Sequence, residues 1–230
     1  MKKHFVVMGS YYDIQLSGNL ILQCRNILEI YNREYFESNT DTKILYKSIP
    51  DLIVIMMNPG SSAPLDKNYI PKKYKVSELS SLSNNKLIPA KPDITQYQIM
   101  RLMLEKKWKH VRILNLSDIR EPKSTLFIKT VEDCENKFGA FHSIFSGERK
   151  AEFKLAFKNF NENNLIIAGW GCDKSLEFLA VRVLGKIRGR KIVGLNCSDN
   201  ENLYMHPSPT LQKHKEKWLN EIDQKLKPIK

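Results

Sequence analysis

Residues 52–63 read LIVIMMNPGSSA: six apolar residues that stop at Asn58 and break into a Pro-Gly turn. A continuous apolar run of this length, bounded by a turn signal, predicts a strand buried on both faces of a parallel sheet. Asn58 then stands at the strand's carboxyl end. In open α/β sheets the carboxyl ends of the strands form the crevice where ligands bind. A polar side chain there, followed by Gly60 with no side chain, points to a small pocket. Taken alone, Asn58-Pro59-Gly60 favours a plain turn, because these are the commonest turn residues.

Upstream of this stretch, residues 5–8 suggest a short strand. Residues 17–35 fit a helix with Leu20, Cys24, Ile27, Leu28, Tyr31 and Tyr35 on one face and Ser17 as N-cap. Residues 43–46 are a weaker strand candidate, leading through Pro50 into the central strand. Downstream, residues 59–92 show little periodicity and are rich in Ser, Asn, Pro and Lys, a long excursion of the kind that is functional or disordered. It interleaves Lys67, Lys72, Lys73 and Lys75 with Tyr69 and Tyr74. That composition suits phosphate contacts with base stacking, and equally a solvated loop with no ligand.

Residues 93–107 predict a helix turning Tyr97, Met100, Met103, Leu104 and Trp108 to the core, capped by Asp93 or Thr95. VRILNL, 111–116, is the next strand, with Asn115 near its carboxyl end and Ser117, Asp118 and Arg120 following. A strand Asn more often makes a structural hydrogen bond than a ligand contact. Its amide nevertheless offers the donor and acceptor that can read one edge of a base. Residues 121–146 look irregular, with a short helix near 131–138, and 147–160 read as a basic helix capped by Ser146. Residues 165–168 form a third apolar strand ending in Gly169-Trp170-Gly171.

Asp173 is placed to cap a helix with a core stripe of Leu176, Leu179, Ala180, Val183 and Leu184. Residues 190–195 give a fourth strand behind the basic run Lys186, Arg188, Arg190 and Lys191. Near the C-terminus, 205–210 read MHPSPT. Ser208 can cap the last helix with Pro209 at its first position, which holds His206 in a stiff loop; an incidental histidine before a common helix start fits as well. Leu211, Trp218, Leu219, Ile222 and Leu226 mark that helix's buried face.

Strands alternating with helices imply a mainly parallel four-stranded sheet with helices on both faces, a three-layer α/β/α domain. The chain has 230 residues, 42% of them hydrophobic, enough for one core, so 1–230 is read as a single domain with 1–50 as a helical extension packed on it. Lys and Arg number 37 against 25 acids, a net charge of +12, which favours a polyanion such as nucleic acid or an anionic membrane surface. The five apolar residues near the N-terminus are too few for a secretory segment, and no run could span a bilayer, so a soluble, cytoplasmic protein is expected. Four cysteines, 24, 134, 172 and 197, form no CxxC pair. No metal site is signalled, and free reduced thiols are expected, with Cys24 and Cys197 buried for packing.

Asn58-Pro59-Gly60 at the end of an apolar strand, together with HPSP at 206–209, resembles the two signature motifs of the uracil-DNA glycosylase superfamily. Asn-Pro-Gly followed by Ser61-Ser62-Ala63 is similar to the mismatch-specific branch. HPSP is closer to the single-strand-selective and classical branches. ILN ending at Asn115 resembles the strand whose Asn reads the pyrimidine, and IIAGWG the later strand-Gly turn. The likeness covers about residues 50–210, and 93–122 also resemble an uncharacterised bacterial and phage family within the superfamily.

The resemblance implies that Asn58 holds the attacking water and His206 hydrogen-bonds the carbonyl on which charge builds in the leaving base. It implies a base-binding set of Asn115, Tyr69, Gly60, Met57 and Pro59. It further implies DNA contacts from Ser61, Ser62, Lys67, Lys72, Lys73, Gly171, Ser208, Thr210, Leu211 and Lys213, with Thr210 or Leu211 as the wedge entering the duplex. Two departures matter. Asn58 stands where the strongest uracil excisers have Asp, which predicts slower chemistry or another substrate. Gly60 stands where they carry a bulky aromatic, which predicts room for thymine or a larger modified pyrimidine.

The expected function is a monofunctional DNA glycosylase, monomeric and without metal or cofactor, acting on a flipped uracil-like, damaged or modified base in single- or double-stranded DNA. No lysine sits at a motif position to form a Schiff base, so no lyase activity is expected. Repair and defence against modified phage DNA are both open roles. A non-catalytic nucleic-acid-binding protein of the same fold is the alternative, and an enzyme on free nucleosides or nucleotides a third.

Overall fold

The computed structural model describes residues 1–16, 18, 20–39, 48–84, 86–139 and 141–227. β1 (Phe5–Gln15) and β2 (Ile21–Asn32) pair antiparallel, Phe5 opposite Asn32 and Gln15 opposite Ile21. The turn between them is closed by Leu16 N donating to Leu20 O at 2.9 Å. The helix expected over 17–35, and with it the helical extension over 1–50, is therefore replaced by a hairpin. The helical face assigned to this segment omitted Leu22 and Ile30, yet both are buried, because β2 is covered on both sides and its β-branched and aromatic residues suit a pleated surface. Arg33–Ser38 forms a short α-helix (α1) after the hairpin, with the Asn32 side chain accepting from Tyr35 N at 3.1 Å. Ser17 and residues 43–46 lie outside the described residues.

β3 (Leu52–Met56) is buried at every position, as its unbroken apolar run requires. The segment over 59–92, expected to lack regular structure, instead builds a sheet edge from β4 (Ala63–Pro64), β5 (Lys72–Lys75) and β6 (Ile88–Lys91). α2 (Ile94–Lys106) starts at Asp93, whose Oδ1 accepts from Gln96 N at 3.0 Å while Gln96 Oε1 accepts from Asp93 N at 3.2 Å. Of the two caps the sequence offers, Asp93 and Thr95, the structure uses Asp93, and the reciprocal bond to the Gln96 side chain adds to it. β7 (His110–Asn115) follows.

α3 (Ser124–Phe138) is twice the length expected, its inward residues Phe127, Val131 and Cys134 keeping helical spacing from the start. α4 (Lys150–Ala156) is shorter than 147–160, because Arg149 leaves the basic face and is buried against Asp118 and Glu152. β8 (Leu165–Gly169), α5 (Glu177–Lys186), β9 (Lys191–Val193), the hairpin β10 (Asn196–Cys197) and β11 (Asn200–Tyr204), and α6 (Gln212–Lys225) complete the order. Asp173 does cap the entry to α5, its Oδ1 accepting from Ser175 N at 3.0 Å. Ser208 does not cap α6, which begins after Leu211.

Among the described residues the main sheet has nine strands, in the order β4-β6-β1-β2-β7-β3-β8-β9 with β5 beside β1. The four strands expected from sequence form one parallel block, β7-β3-β8-β9. They do not form the whole sheet, which is mixed. Side chains of β3 alternate between two cores. Ile53 and Ile55 meet Phe127 and Val131 of α3 and Leu179 and Val183 of α5, while Leu52, Val54 and Met56 meet Ile99 and Met103 of α2 and Trp218 and Ile222 of α6. Helices thus cover both faces of the parallel block.

Cys172 and Cys197 are joined by a disulfide, with Cα atoms 5.7 Å apart, which corrects the expectation of four free thiols. Cys24 and Cys134 are free and buried. Spacing alone gave no signal for that pairing. No helix among the described residues is long and apolar enough to cross a membrane.

Candidate active site

Parallel register puts Met56 beside both Asn115 and Gly169, so the carboxyl ends of β3, β7 and β8 open on one edge. There the chain from Met57 to Ser61 borders a cavity of about 260 Å³. The N-terminal turn of α2 supplies Asp93, Ile94, Thr95 and Gln96 to its wall, β2 supplies Arg25, and Pro122 and His206 complete it. Small-molecule sites run from about 300 to 1,000 Å³, so this volume suits a single ring system better than a nucleotide.

His206 reaches the cavity through β11. Gly171 N donates to Tyr204 O at 2.8 Å and Met205 N to Leu195 O at 2.7 Å, which anchors the end of that strand beside β8. Trp218 Nε1 then donates to Met205 O at 3.2 Å. Pro207 packs on Gly169, where a Cβ would stand 2.9 Å from Pro207 Cδ, so the strand-Gly turn is what lets the HPSP loop approach. Ser208 N donates to His206 Nδ1 at 3.2 Å. An Nδ1 that accepts leaves the proton of the neutral ring on Nε2, which is then a donor. Burial holds the imidazole below its usual pKa and so favours that neutral form.

Asn58 Nδ2 donates to Glu121 O at 2.6 Å, which orients the amide. Among the described residues no donor is found for Oδ1, which leaves it as an acceptor for a water or a ligand. Asn115 is fully buried behind this loop. Oriented so that both ends of its amide are satisfied, its Nδ2 donates to Asn58 O at 3.1 Å and its Oδ1 accepts from Arg25 Nη2 at 3.2 Å. It braces the Asn58 backbone and does not border the cavity.

Arg25 is 1% exposed, and its Nε and Nη1 have no hydrogen-bond partner among the described residues. Asp93, which lines the same cavity, and Asp118 act on it through space. Desolvating such a cation costs several kcal/mol, whereas one hydrogen bond involving a charged group returns about 1.5–3 kcal/mol. Burial is the larger influence on Arg25 and lowers its pKa, while Tyr11, Asp93 and Asp118 act the other way. Sequence reading missed both it and Asp93 as site residues. The available signal was a charge at position 25 next to the largely apolar stretch 27–31, hidden by the helical assignment; Asp93 was read only as a cap.

Other expected contacts are distributed unevenly. Met57, Pro59, Gly60 and Ser61 border the cavity, Gly60 with φ +57°, a left-handed value that glycine accepts without strain. Tyr69 packs on the core beneath α2 and α6 and does not border it. Tyr74 is buried, so it offers no stacking surface. Ser62 is also buried, 3.1 Å from Tyr11 OH, with its carbonyl accepting from Arg120 Nε at 2.6 Å. Lys67, Lys72, Lys73, Thr210, Leu211 and Lys213 are exposed, and Ser208 is half-buried. Gly171, φ +112°, holds the bridge to Tyr204.

Elsewhere, His142 lies 2.8 Å from both Ser117 Oγ and Glu135 Oε1, a Ser-His-Glu series. Ser117 and His142 are wholly buried, so no substrate reaches the hydroxyl and the series is structural. Among the described residues no group of three or more His, Cys, Asp or Glu is placed to hold a metal ion. Compared with known proteins, the chain matches no family model, no curated protein and no solved structure.

Proposed function

We propose that the protein is a monofunctional DNA glycosylase that hydrolyses the N-glycosidic bond of a flipped uracil-like, damaged or modified base. One observation carries the reading: the strand-end Asn58 and the HPSP histidine, distant in sequence, border the same base-sized cavity at the carboxyl edge of a parallel block. The superfamily likeness read from these motifs agrees with it, and the proposed fold is accordingly uracil-DNA glycosylase-like.

Cleaving the bond leaves negative charge on the base and positive charge on the sugar. His206 Nε2–H donates to the carbonyl oxygen on which the negative charge builds, and a donor of this kind typically accounts for about 10²–10³ in rate. Asn58 Oδ1 accepts from the attacking water and holds it beneath the sugar carbon. Asp93 is the acidic residue bordering the cavity, and its carboxylate opposes the positive charge that develops on the sugar. The net charge of +12 and the exposed lysines around β5 supply the attraction to the phosphate backbone, with the protein acting as a monomer.

The test is release of free base from single- and double-stranded DNAs carrying uracil, thymine mismatches, hypoxanthine or 5-modified cytosines, followed by alkali. A break that needs alkali, and falls about 10²–10³-fold in Asn58→Ala and in His206→Ala, is the expected result. Silence across the panel at enzyme excess, with salt-sensitive DNA binding retained, identifies a binding protein instead. The proposed location is the cytoplasm. Disulfides are rare there, so thiol trapping in intact expressing cells should find Cys172 and Cys197 reduced.

A further inference from the structure

We propose that Arg25 is a second electrophile of this pocket, placed to receive the negative charge of the departing base. The inference rests on the glycosylase reading and goes beyond the roles of Asn58 and His206.

Three observations carry it. Arg25 borders from β2 the cavity that Asn58 and His206 also line. Two of its three nitrogens, Nε and Nη1, have no partner among the described residues although the side chain is almost wholly buried. Its third, Nη2, is fixed by Asn115, which also holds the Asn58 backbone, so cation and water-holding loop keep one geometry. The charged and titratable groups facing Arg25 are Tyr11 on β1, Asp93 at the start of α2, and Arg120 and Asp118 after β7. Asp118 is already engaged by Arg149 at 2.5 Å.

An incompletely neutralised, buried cation interacts weakly with a neutral base and strongly with an anionic one. Its favourable interaction therefore grows as the glycosidic electron pair moves onto the base, which is the condition for accelerating bond cleavage rather than binding. In the balanced step the C–N bond breaks with both electrons retained by the base. Water then adds its oxygen to the sugar carbon, and its proton goes to solvent or to the base. His206 meets one carbonyl oxygen, and Arg25 supplies the remaining compensation through the field of its charge.

The experiment compares Arg25→Gln and Arg25→Lys with the unaltered protein on DNA containing uracil or 5-fluorouracil, which differ little in size but strongly in leaving-group acidity. Loss of the charge should slow uracil release by about 10²-fold and 5-fluorouracil release by much less, with KM nearly unchanged and Arg25→Lys restoring part of the difference. A uracil to 5-fluorouracil rate ratio identical in all three proteins overturns the proposal.

Binding of the two free bases to the same proteins is measured alongside, because it needs no turnover. The unaltered protein should prefer 5-fluorouracil, and Arg25→Gln should lose that preference. If no DNA on any panel releases a base, the glycosylase reading fails. The free-base preference then still decides Arg25: its loss in Arg25→Gln supports an anion-receiving pocket, and no preference in the unaltered protein overturns it.

Discussion

Asn115 Nδ2 donates to the backbone carbonyl of Asn58 at 3.1 Å, so the residue expected to face the base stands behind the loop that holds the water. Asn115→Ala removes that brace and orphans both the Asn58 carbonyl and Arg25 Nη2. Each such loss costs about 1–3 kcal/mol. Denaturant unfolding should show a drop of roughly 2–6 kcal/mol. Turnover should fall by a similar factor for every base accepted, leaving their ranking unchanged. A reordered base preference with stability intact would restore Asn115 to the base-reading role.

His206 sets the acid limit of the reaction. Its pKa is lowered by burial, so between the unfolded value of about 6.5 and the lower folded value the unfolded chain binds more protons than the native one. The stability it contributes is present above about pH 6.5 and is lost as pH falls toward the folded value. Protonation also removes Nδ1 as acceptor for Ser208 N. Base release should be flat through neutrality, with an acid limb whose midpoint lies below about pH 6.5. The difference in unfolding free energy between the unaltered protein and His206→Gln, followed against pH, isolates this group from the other buried histidines. A midpoint at or above that value would mean that the ring is not held neutral by its surroundings.

Much of this arrangement is legible in the sequence because burial on two faces writes itself into composition. LIVIM bounded by a turn suits a central strand, and Asp93 offers a cap at the start of α2. The strand end at Asn58 and the HPSP turn are likewise visible, since Pro and Gly fix local geometry. The N-terminal hairpin is not, because apolar residues at 20, 24, 27, 28, 31 and 35 fit a helical face as well as a doubly covered strand, and only long-range pairing with β1 decides between them. Arg25 disappears from view for the same reason. A buried charge breaks the pattern that identifies buried positions, and its meaning comes from which side chains it lacks as partners.

That absence predicts a trade of stability against function at Arg25. Methionine has an unbranched, adaptable side chain that can fill much of the same space without a charge to desolvate. Arg25→Met should raise the thermal midpoint, by about 2–4 °C for each kcal/mol recovered in a chain of this size, while base release falls. Asn115 loses one acceptor contact in the exchange but keeps its bond to the Asn58 carbonyl, so adding Asn115→Leu should lower the midpoint below that of Arg25→Met alone. Scanning calorimetry of the three proteins checks this. A midpoint of Arg25→Met below that of the unaltered protein would show that Asp93 and Asp118 compensate the cation fully and that Arg25 is a structural residue.

The disulfide gives the last prediction, because it closes the hairpin that carries His206 onto the turn after β8. Cys172 and Cys197 are 25 residues apart, and constraining a loop of that length stabilises the native state by about 3.5 kcal/mol in the chain-entropy description. Cys172→Ser, or reduction of the unaltered protein, should therefore lower the thermal midpoint by about 7–14 °C. The hydrogen bonds from Gly171 N to Tyr204 O and from Met205 N to Leu195 O, and the contact of Pro207 with Gly169, do not depend on the sulfur atoms. Base release measured well below the midpoint should then stay within a few-fold of the oxidised protein. If it collapses at low temperature while circular dichroism shows an intact fold, the bridge positions His206 as well as stabilising the hairpin. The reaction would then be gated by the redox state of the Cys172–Cys197 pair.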